Sequence, residues 1–178
     1  MWILQSTTVA GDLAILYDNR PISTTGQSAQ GVVLAVFPDG TLSAANSEDG
    51  GWYHSTTSLP LNVWTHVAMV RDGAQLRMYI GGQPRGSFSI NSSKWTNITP
   101  DGVCLGNLSL YSAPDGWNGS ISQCRISASA LYTTSFTPAR TLASAGSLFC
   151  LGASAKNLVD GRTMTVYGQV TQGFLPSA

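Results

Sequence analysis

The sequence has 178 residues, of which 43% are hydrophobic and only 10% are charged, and its formal net charge is zero. A chain of this length can bury a substantial core, so we expect residues 1–178 to form a single domain. The nine basic residues are scattered along the chain, which argues against binding to nucleic acid or to an anionic membrane surface.

The beginning of the chain and its cysteines indicate synthesis in a reducing cytosol. Apolar residues 1–4 are followed at once by polar residues, with no basic segment and no apolar run of the length that a signal peptide or a membrane span needs. The cysteines, at positions 104, 124 and 150, lie far apart in apolar, strand-like surroundings. We therefore expect buried thiols, with one disulfide plus one thiol as the alternative.

Short apolar runs separated by turns of Gly, Pro, Asp and Asn follow one another along the chain. Residues 128–132 are predicted to form one helical turn, and no segment shows twelve or more residues at helical spacing. This pattern is typical of an all-β antiparallel sandwich or jelly roll. Outside the central hairpin, the predicted strands are 2–4, 13–17, 31–37, 42–45, 86–90, 103–106, 119–127, 147–151 and 164–170.

The clearest local feature is a hairpin between residues 62 and 80. Apolar and polar residues alternate on both sides of Asp72-Gly73, and alternation over this length is the period of a strand. Asp-Gly favours a tight turn because glycine accepts a positive φ without steric cost. We expect the rest of the chain to pack on this hairpin or pair with it, since a two-stranded ribbon alone is barely stable.

The hairpin resembles a motif of the laminin-G-like, concanavalin-A-like jelly-roll superfamily. Members often read W-x-H-V-A-x-x-R-x-G and then L-x-L/M-Y-I/V-x-G, and here this pattern runs from Trp64 to Gly82. Residues 117–126 resemble the family's W-N-G-x-I-x-x-x-R-I strand. Residues 132–138 resemble the R-Y-T-x-x-F-T-P ending common in versions carried by bacteriophage structural proteins. The resemblance covers residues 2–138 and implies a β-sandwich.

The order of the pieces departs from the family pattern. Met1 begins in the middle of the family's leading segment, whereas residues 148–151, 160–161 and 165–170 resemble its usual opening. Terminal strands of a sandwich tend to be neighbours, so a circular permutation is tolerated. We therefore expect residues 147–170 to pair beside the N-terminal strand and complete the sandwich. The alternative is exchange of this segment with a neighbouring copy.

The acidic residues argue against an enzyme. Glycosidases of this fold use paired carboxylates on one strand, because one acid protonates the leaving group while the other attacks or activates water. Glu48 is the only glutamate, and the aspartates mostly fall in turns. His66 is expected to be structural, and His54 lies in a predicted loop. We therefore expect no catalytic residue.

The sequence also predicts no cofactor and no zinc site, because no His/Cys spacing fits one. Related domains can bind calcium, which gives an alternative in which the loop acids Asp39, Asp49 and Asp115 hold this ion. No complete calcium-loop motif is present, so we favour turn roles for these three residues.

Aromatic residues in or beside loops raise the question of glycan binding. Exposed aromatic rings stack on sugar faces, and amide or carboxylate groups bind the hydroxyls. The candidate residues are Trp52, Tyr53, Trp95, Asn97 and Asp115. The alternative, which we favour from the sequence, is that the tryptophans cap the ends of the sandwich core.

Together with the phage-type ending, these features predict a non-enzymatic bacteriophage virion protein. It would be made in the host cytoplasm and assembled into the virion as a head decoration or cement protein on the major capsid protein. The sequence has no coiled coil of the kind that trimerises a tail fibre. Self-association, with a trimer as the working expectation, follows from the symmetry of a capsid lattice. The alternative is a lectin-like carbohydrate-binding module, for example in a tail adhesion component.

Overall fold

The computed structural model of the chain describes residues 1–19, 31–46, 49, 51–93, 95, 104–106, 116–140 and 147–150. Within these ranges the chain forms strands and turns, and no helix long and apolar enough to cross a membrane occurs. The strands are β1 (Trp2–Gln5), β2 (Ala14–Asp18), β3 (Val33–Val36), β4 (Thr41–Asn46), β5 (Gly51–Ser58), β6 (Thr65–Asp72), β7 (Gln75–Ile80), β8 (Gln83–Ser89), β9 (Cys104–Leu105), β10 (Gly119–Ser122), β11 (Arg125–Ser127) and β12 (Ser147–Cys150).

Two antiparallel sheets enclose the main apolar core. Sheet I has the strand order β10-β1-β6-β7-β8, and sheet II has the order β5-β4-β3-β2-β9. Strands such as β4 and β7 contribute alternate residues to the core, because successive side chains point to opposite faces of a sheet. This arrangement confirms the predicted all-β sandwich. The buried residues between the sheets include Ile3, Val67, Leu76 and Met78 from sheet I and Leu16, Leu34, Val36 and Leu42 from sheet II.

The predicted central hairpin is formed by β6 and β7. Its last cross-strand pair is Asp72 with Gln75, so the turn consists of Gly73 and Ala74, one residue later than predicted. Gly73 has a φ of 59°, the conformation for which glycine is favoured. Arg77 donates from Nη1 to Asp72 Oδ2 at 3.2 Å, which ties the two strands together beside the turn.

Two parts of the chain differ from the predicted strands. The predicted strand 119–127 is divided into β10 and β11, with Gln123 between them at a φ of 53°. Residues 52–54 belong to the eight-residue strand β5, and His54 therefore lies in a strand, where the sequence predicts a loop. Among the described strands, β5 pairs only with β4 and lies at the edge of sheet II. Most side chains of β5 are exposed, whichever face they lie on. The strand therefore shows little alternation of apolar and polar residues, which is the pattern that predicts a strand from sequence.

The outer face of sheet I is covered by residues 131–140, which we call the strap. The predicted helical turn at 128–132 is absent, and the segment runs irregularly across the sheet. Its Tyr132 and Phe136 rings stack with centroids 3.6 Å apart, and both rings meet His66 and Tyr79 edge-on. Residues 132–138 therefore have a structural role, since their aromatic rings cover the outer face of the hairpin.

Backbone contacts fix the strap in place. Phe136 N–H donates to the carbonyl oxygen of Gly82 at 2.9 Å, and Tyr79 Oη donates to that of Tyr132 at 3.2 Å. At the end of the strap, Trp2 Nε1–H donates to the carbonyl oxygen of Ala139 at 2.9 Å. These bonds join the strap to strand β7, to the turn that follows β7 and to strand β1.

The last described strand, β12, pairs antiparallel with β11 of the same chain. This is the kind of pairing that a return of the C-terminal region requires. Residues 151–170 lie outside the described residues, however. The single-domain prediction, in which residues 147–170 complete a permuted sandwich, therefore stays a prediction.

Candidate functional site

Strand β5 displays its side chains alternately on the two faces of sheet II. Trp52 and His54 pair with Ala45 and Ser43 of β4, and these four side chains share the outer face. Tyr53 lies between them and packs against the core. Two residues predicted for one glycan site, Trp52 and Tyr53, therefore point to opposite faces and do not form a common stacking surface.

Three rings on the outer face form a compact cluster, which we call the outer aromatic patch: Phe37, Trp52 and His54. The Phe37 ring centroid lies 5.0 Å from that of Trp52 and 4.9 Å from that of His54, and both contacts are edge-on. Phe37 and Trp52 are half-buried, whereas His54 is exposed. Trp52 also packs against a small buried cluster formed by Ile15, Val33 and Ala35, so the patch has an apolar base and an accessible rim.

A buried hydroxyl fixes the imidazole of His54. Ser43, which is fully buried, places its Oγ 2.8 Å from His54 Nδ1. Among the described residues, no partner bonds to the other ring nitrogen, Nε2. In an exposed ring, this nitrogen is available to a ligand hydroxyl.

A carboxylate lies near the patch, on the turn between β3 and β4. Asp39 Oδ1 accepts hydrogen bonds from Thr41 Oγ1 at 2.7 Å and Thr41 N at 2.9 Å. These bonds, the side-chain bond first, lower the pKa of Asp39, and the charge of His54 acts in the same direction. The patch therefore combines aromatic surface with an imidazole and a carboxylate that is ionised at neutral pH.

Trp95 and Tyr53 lie on the core side of the sandwich. Trp95 is only 5% exposed, and its Nε1–H donates to Asp49 Oδ2 at 2.8 Å. Tyr53 Oη donates to the same oxygen at 3.0 Å, and burial followed by this bond raises the pKa of Tyr53. Trp95 thus occupies the core position that the alternative interpretation gave to the tryptophans.

We expect Asp49→Ala to lower the free energy of unfolding by about 2–3 kcal/mol, because Trp95 N–H and Tyr53 O–H would lose their shared acceptor. Urea unfolding measures this change. Asp39→Ala is the matched control, since Asp39 is exposed and its bonds to Thr41 are local; we expect it to cost under about 1 kcal/mol. Equal losses in the two variants would show that Asp49 does not hold the aromatic residues.

The remaining predicted site residues, Asn97 and Asp115, lie outside the described residues, so their part in glycan binding stays a prediction. The described residues contain no group of three or more His, Cys, Asp or Glu side chains that could hold a metal ion. Because Asp115 is one of the three acids considered for calcium, the alternative of calcium binding is also untested.

Comparison with known proteins identifies the family. A family model described as the concanavalin A-like lectin/glucanases superfamily, of the laminin G type, matches residues 2–135. The chain belongs to this superfamily. A search of curated proteins finds no match.

Solved structures support the fold of this superfamily member. A candidate carbohydrate binding protein from Bacteroides ovatus aligns with a TM-score of 0.59 at 16% identity, over 85% of this chain and 43% of that chain. A native heptameric SAP-like pentraxin from Limulus polyphemus aligns with a TM-score of 0.52 at 22% identity, over 74% of this chain and 63% of that chain. The chain thus spans less than two thirds of either structure, and neither comparison supports the bacteriophage type of the sequence resemblance.

Proposed function

We propose that this domain binds carbohydrate through the outer aromatic patch. The observation that carries the proposal is the geometry of that patch, in which half-buried Trp52 and exposed His54 both contact the Phe37 ring. Sugar rings present apolar C–H faces that stack on an indole, and their hydroxyls bond to imidazole and carboxylate groups. Membership of a superfamily that includes lectins supports the same function, and so does the similarity in fold to the candidate carbohydrate binding protein from Bacteroides ovatus.

Each residue of the patch has a distinct role in this proposal. Trp52 provides the stacking surface, and Phe37 holds both the indole and the imidazole in place. His54 Nε2 forms a hydrogen bond with one sugar hydroxyl. The Asp39 carboxylate accepts a hydrogen bond from another hydroxyl at the edge of the patch. A shallow site with few contacts gives an expected dissociation constant in the range of about 0.1–10 mM for one sugar unit.

We propose binding without turnover. Of the described acidic residues only Asp18 and Asp72 lie in strands, and they belong to β2 and β6. The paired carboxylates that hydrolysis requires are therefore not formed by residues of any one described strand. Release of reducing ends from a bound polysaccharide would contradict this part of the proposal.

The comparisons favour carbohydrate binding over the virion role that the sequence predicts. Neither the family match nor the two structures supports a head decoration protein. Binding to a major capsid protein, a trimeric state and location in a virion stay predictions. A domain that binds glycans in a tail adhesion component would be compatible with both interpretations.

A glycan array probed with the full chain tests the proposal, followed by calorimetry on the best ligand. We expect Trp52→Ala to weaken binding at least about tenfold, because the stacking surface is lost. Thr57→Ala is the matched control, since Thr57 is an exposed residue of the same strand, and we expect it to leave affinity unchanged. An array without binding, or affinity that survives Trp52→Ala, would overturn the proposal.

A further inference from the structure

The turn between β3 and β4 holds the Asp39 carboxylate beside the outer aromatic patch. Ser58 Oγ donates to the backbone carbonyl oxygen of Asp39 at 2.7 Å, and Leu59 N–H donates to that of Gly40 at 2.9 Å. These bonds tie the turn to the end of β5, the strand that carries Trp52 and His54. The carboxylate therefore has a fixed position relative to the patch.

Three hydrogen bonds connect this carboxylate to the imidazole of His54. Thr41 Oγ1 lies 2.7 Å from Asp39 Oδ1 and 3.4 Å from Ser43 Oγ. Ser43 Oγ in turn lies 2.8 Å from His54 Nδ1. Thr41 and Ser43 are neighbours on one face of β4, because side chains two residues apart in a strand point the same way. We call this chain of four side chains the relay.

The carboxylate sets the direction of the bonds in the relay. An ionised carboxylate only accepts, so Thr41 Oγ1 donates its one proton to Asp39. Ser43 Oγ then bonds to Thr41 only as a donor, to Oγ1 or to the backbone carbonyl oxygen, each at 3.4 Å. With its proton used there, Ser43 Oγ accepts from His54 Nδ1–H, and bonds that run in one direction strengthen each other. In the neutral ring the proton thus lies on Nδ1, and Nε2 is an acceptor.

The polar groups that the patch offers to a ligand are therefore acceptors. Among the described residues, neither His54 Nε2 nor Asp39 Oδ2 has a hydrogen-bond partner, and the Asp39 carboxylate forms no ion pair. The sequence contains no lysine or arginine between positions 21 and 70, a range that includes β3, β4 and β5. A carboxylate or sulfate group of an acidic sugar would thus meet a negative charge and no cation from these strands.

We propose that the outer aromatic patch selects sugars that carry a free amino group, an inference that rests on the proposed carbohydrate binding at the same site. A protonated amine has a positive charge and only donors, so it can donate to His54 Nε2 or to the unpaired oxygen of Asp39. The faces of the Trp52 and Phe37 rings attract the same cation. An exposed ion pair and an exposed cation–π contact each strengthen binding by up to roughly fivefold.

Calorimetry with three tetrasaccharides of one linkage tests the proposal, if they differ only in an amine, a hydroxyl or an acetamide at the second carbon. At neutral pH and low salt, we expect the full chain to bind the amine form at least about fivefold more tightly than the other two. Asp39→Asn should remove this preference, because it removes the charge. Asp72→Asn, the same change in a strand of sheet I, should keep it.

NMR of the ligand-free chain tests the relay separately. Long-range correlations between the ring protons and the ring nitrogens of His54 should show a proton on Nδ1 and none on Nε2. Thr41→Val removes one hydroxyl of the relay, so we expect it to move part of the population to the Nε2–H form. A proton on Nε2 in the unaltered chain would overturn the assignment of this nitrogen as an acceptor, and the proposal with it.

Equal affinity for the three tetrasaccharides, or a preference that survives Asp39→Asn, would also overturn the proposed selection of amino sugars. If that equal binding is lost in Trp52→Ala, carbohydrate binding at the patch stands and only the ligand class is wrong. Absence of binding to all three tetrasaccharides and to the glycan array would overturn both proposals.

Discussion

Gly82→Ala is expected to lower the free energy of unfolding by about 3 kcal/mol or more. Gly82 has a φ of 77°, and a Cβ at this position would overlap the carbonyl oxygen of Phe136 and lie 2.9 Å from Pro138 Cδ. The Phe136 N–H bond to the Gly82 carbonyl holds the strap at this distance. The substitution therefore combines backbone strain with displacement of the strap from the outer face of sheet I.

Gly81→Ala provides the matched control for this prediction. Gly81 has nearly the same backbone conformation, with a φ of 60°, but nothing lies within 4 Å of an added Cβ. We expect it to cost about 1 kcal/mol, the strain of a positive φ alone. Urea unfolding of the two variants gives the comparison, and equal losses would show that close approach of the strap to Gly82 does not contribute to stability.

Acid is expected to destabilise the protein through His66. The strap rings cover this histidine, which is 3% exposed, and its Nδ1 has no partner among the described residues. Burial, followed by the nearby amino-terminal charge, lowers the pKa of His66 to about 3. In the unfolded chain a histidine titrates near 6.5, so below that pH the unfolded state binds a proton that the folded state excludes.

The stabilising effect of neutral His66 is thus complete above pH ~6.5 and is lost as the pH falls towards 3, by up to about 4–5 kcal/mol. Urea unfolding at several pH values measures this slope. We expect His66→Gln to remove the histidine part of it, while His54→Gln, which alters an exposed histidine, should leave it unchanged. A slope that is the same in the unaltered chain and in His66→Gln would show that His66 can be protonated without unfolding.

The fold could be predicted because the hairpin carries strong local signals. Alternation in β6 and β7 and a glycine at the turn are properties of neighbouring residues, and the family motif lies on the same segment. Strand β5 could not be predicted in this way, because an exposed edge strand rich in Ser and Thr has little hydrophobic alternation. The covering role of the strap depends on contacts such as Phe136 with Gly82, which join distant parts of the chain.

The sequence predicts only some of the residues of the candidate site. Residue type identifies Trp52 as a candidate, but it selects Tyr53 and Trp95 equally, because residue type does not show which face of a sheet a side chain occupies. The sequence does not indicate Phe37 and His54 as site residues, because it is the register of β3, β4 and β5 that brings them together. The spacing of Trp52 and His54, two residues apart, is the signal that would have placed both on one face of a strand.

The most direct test of carbohydrate binding at the outer aromatic patch is an NMR titration of the full chain with the oligosaccharide selected by the glycan array. We predict that the Trp52 indole N–H and the His54 ring signals shift together and saturate with one dissociation constant. The Trp95 indole N–H, which is buried against Asp49, should not move. Saturating shifts elsewhere in the protein, with Trp52 and His54 unaffected, would contradict the proposed site.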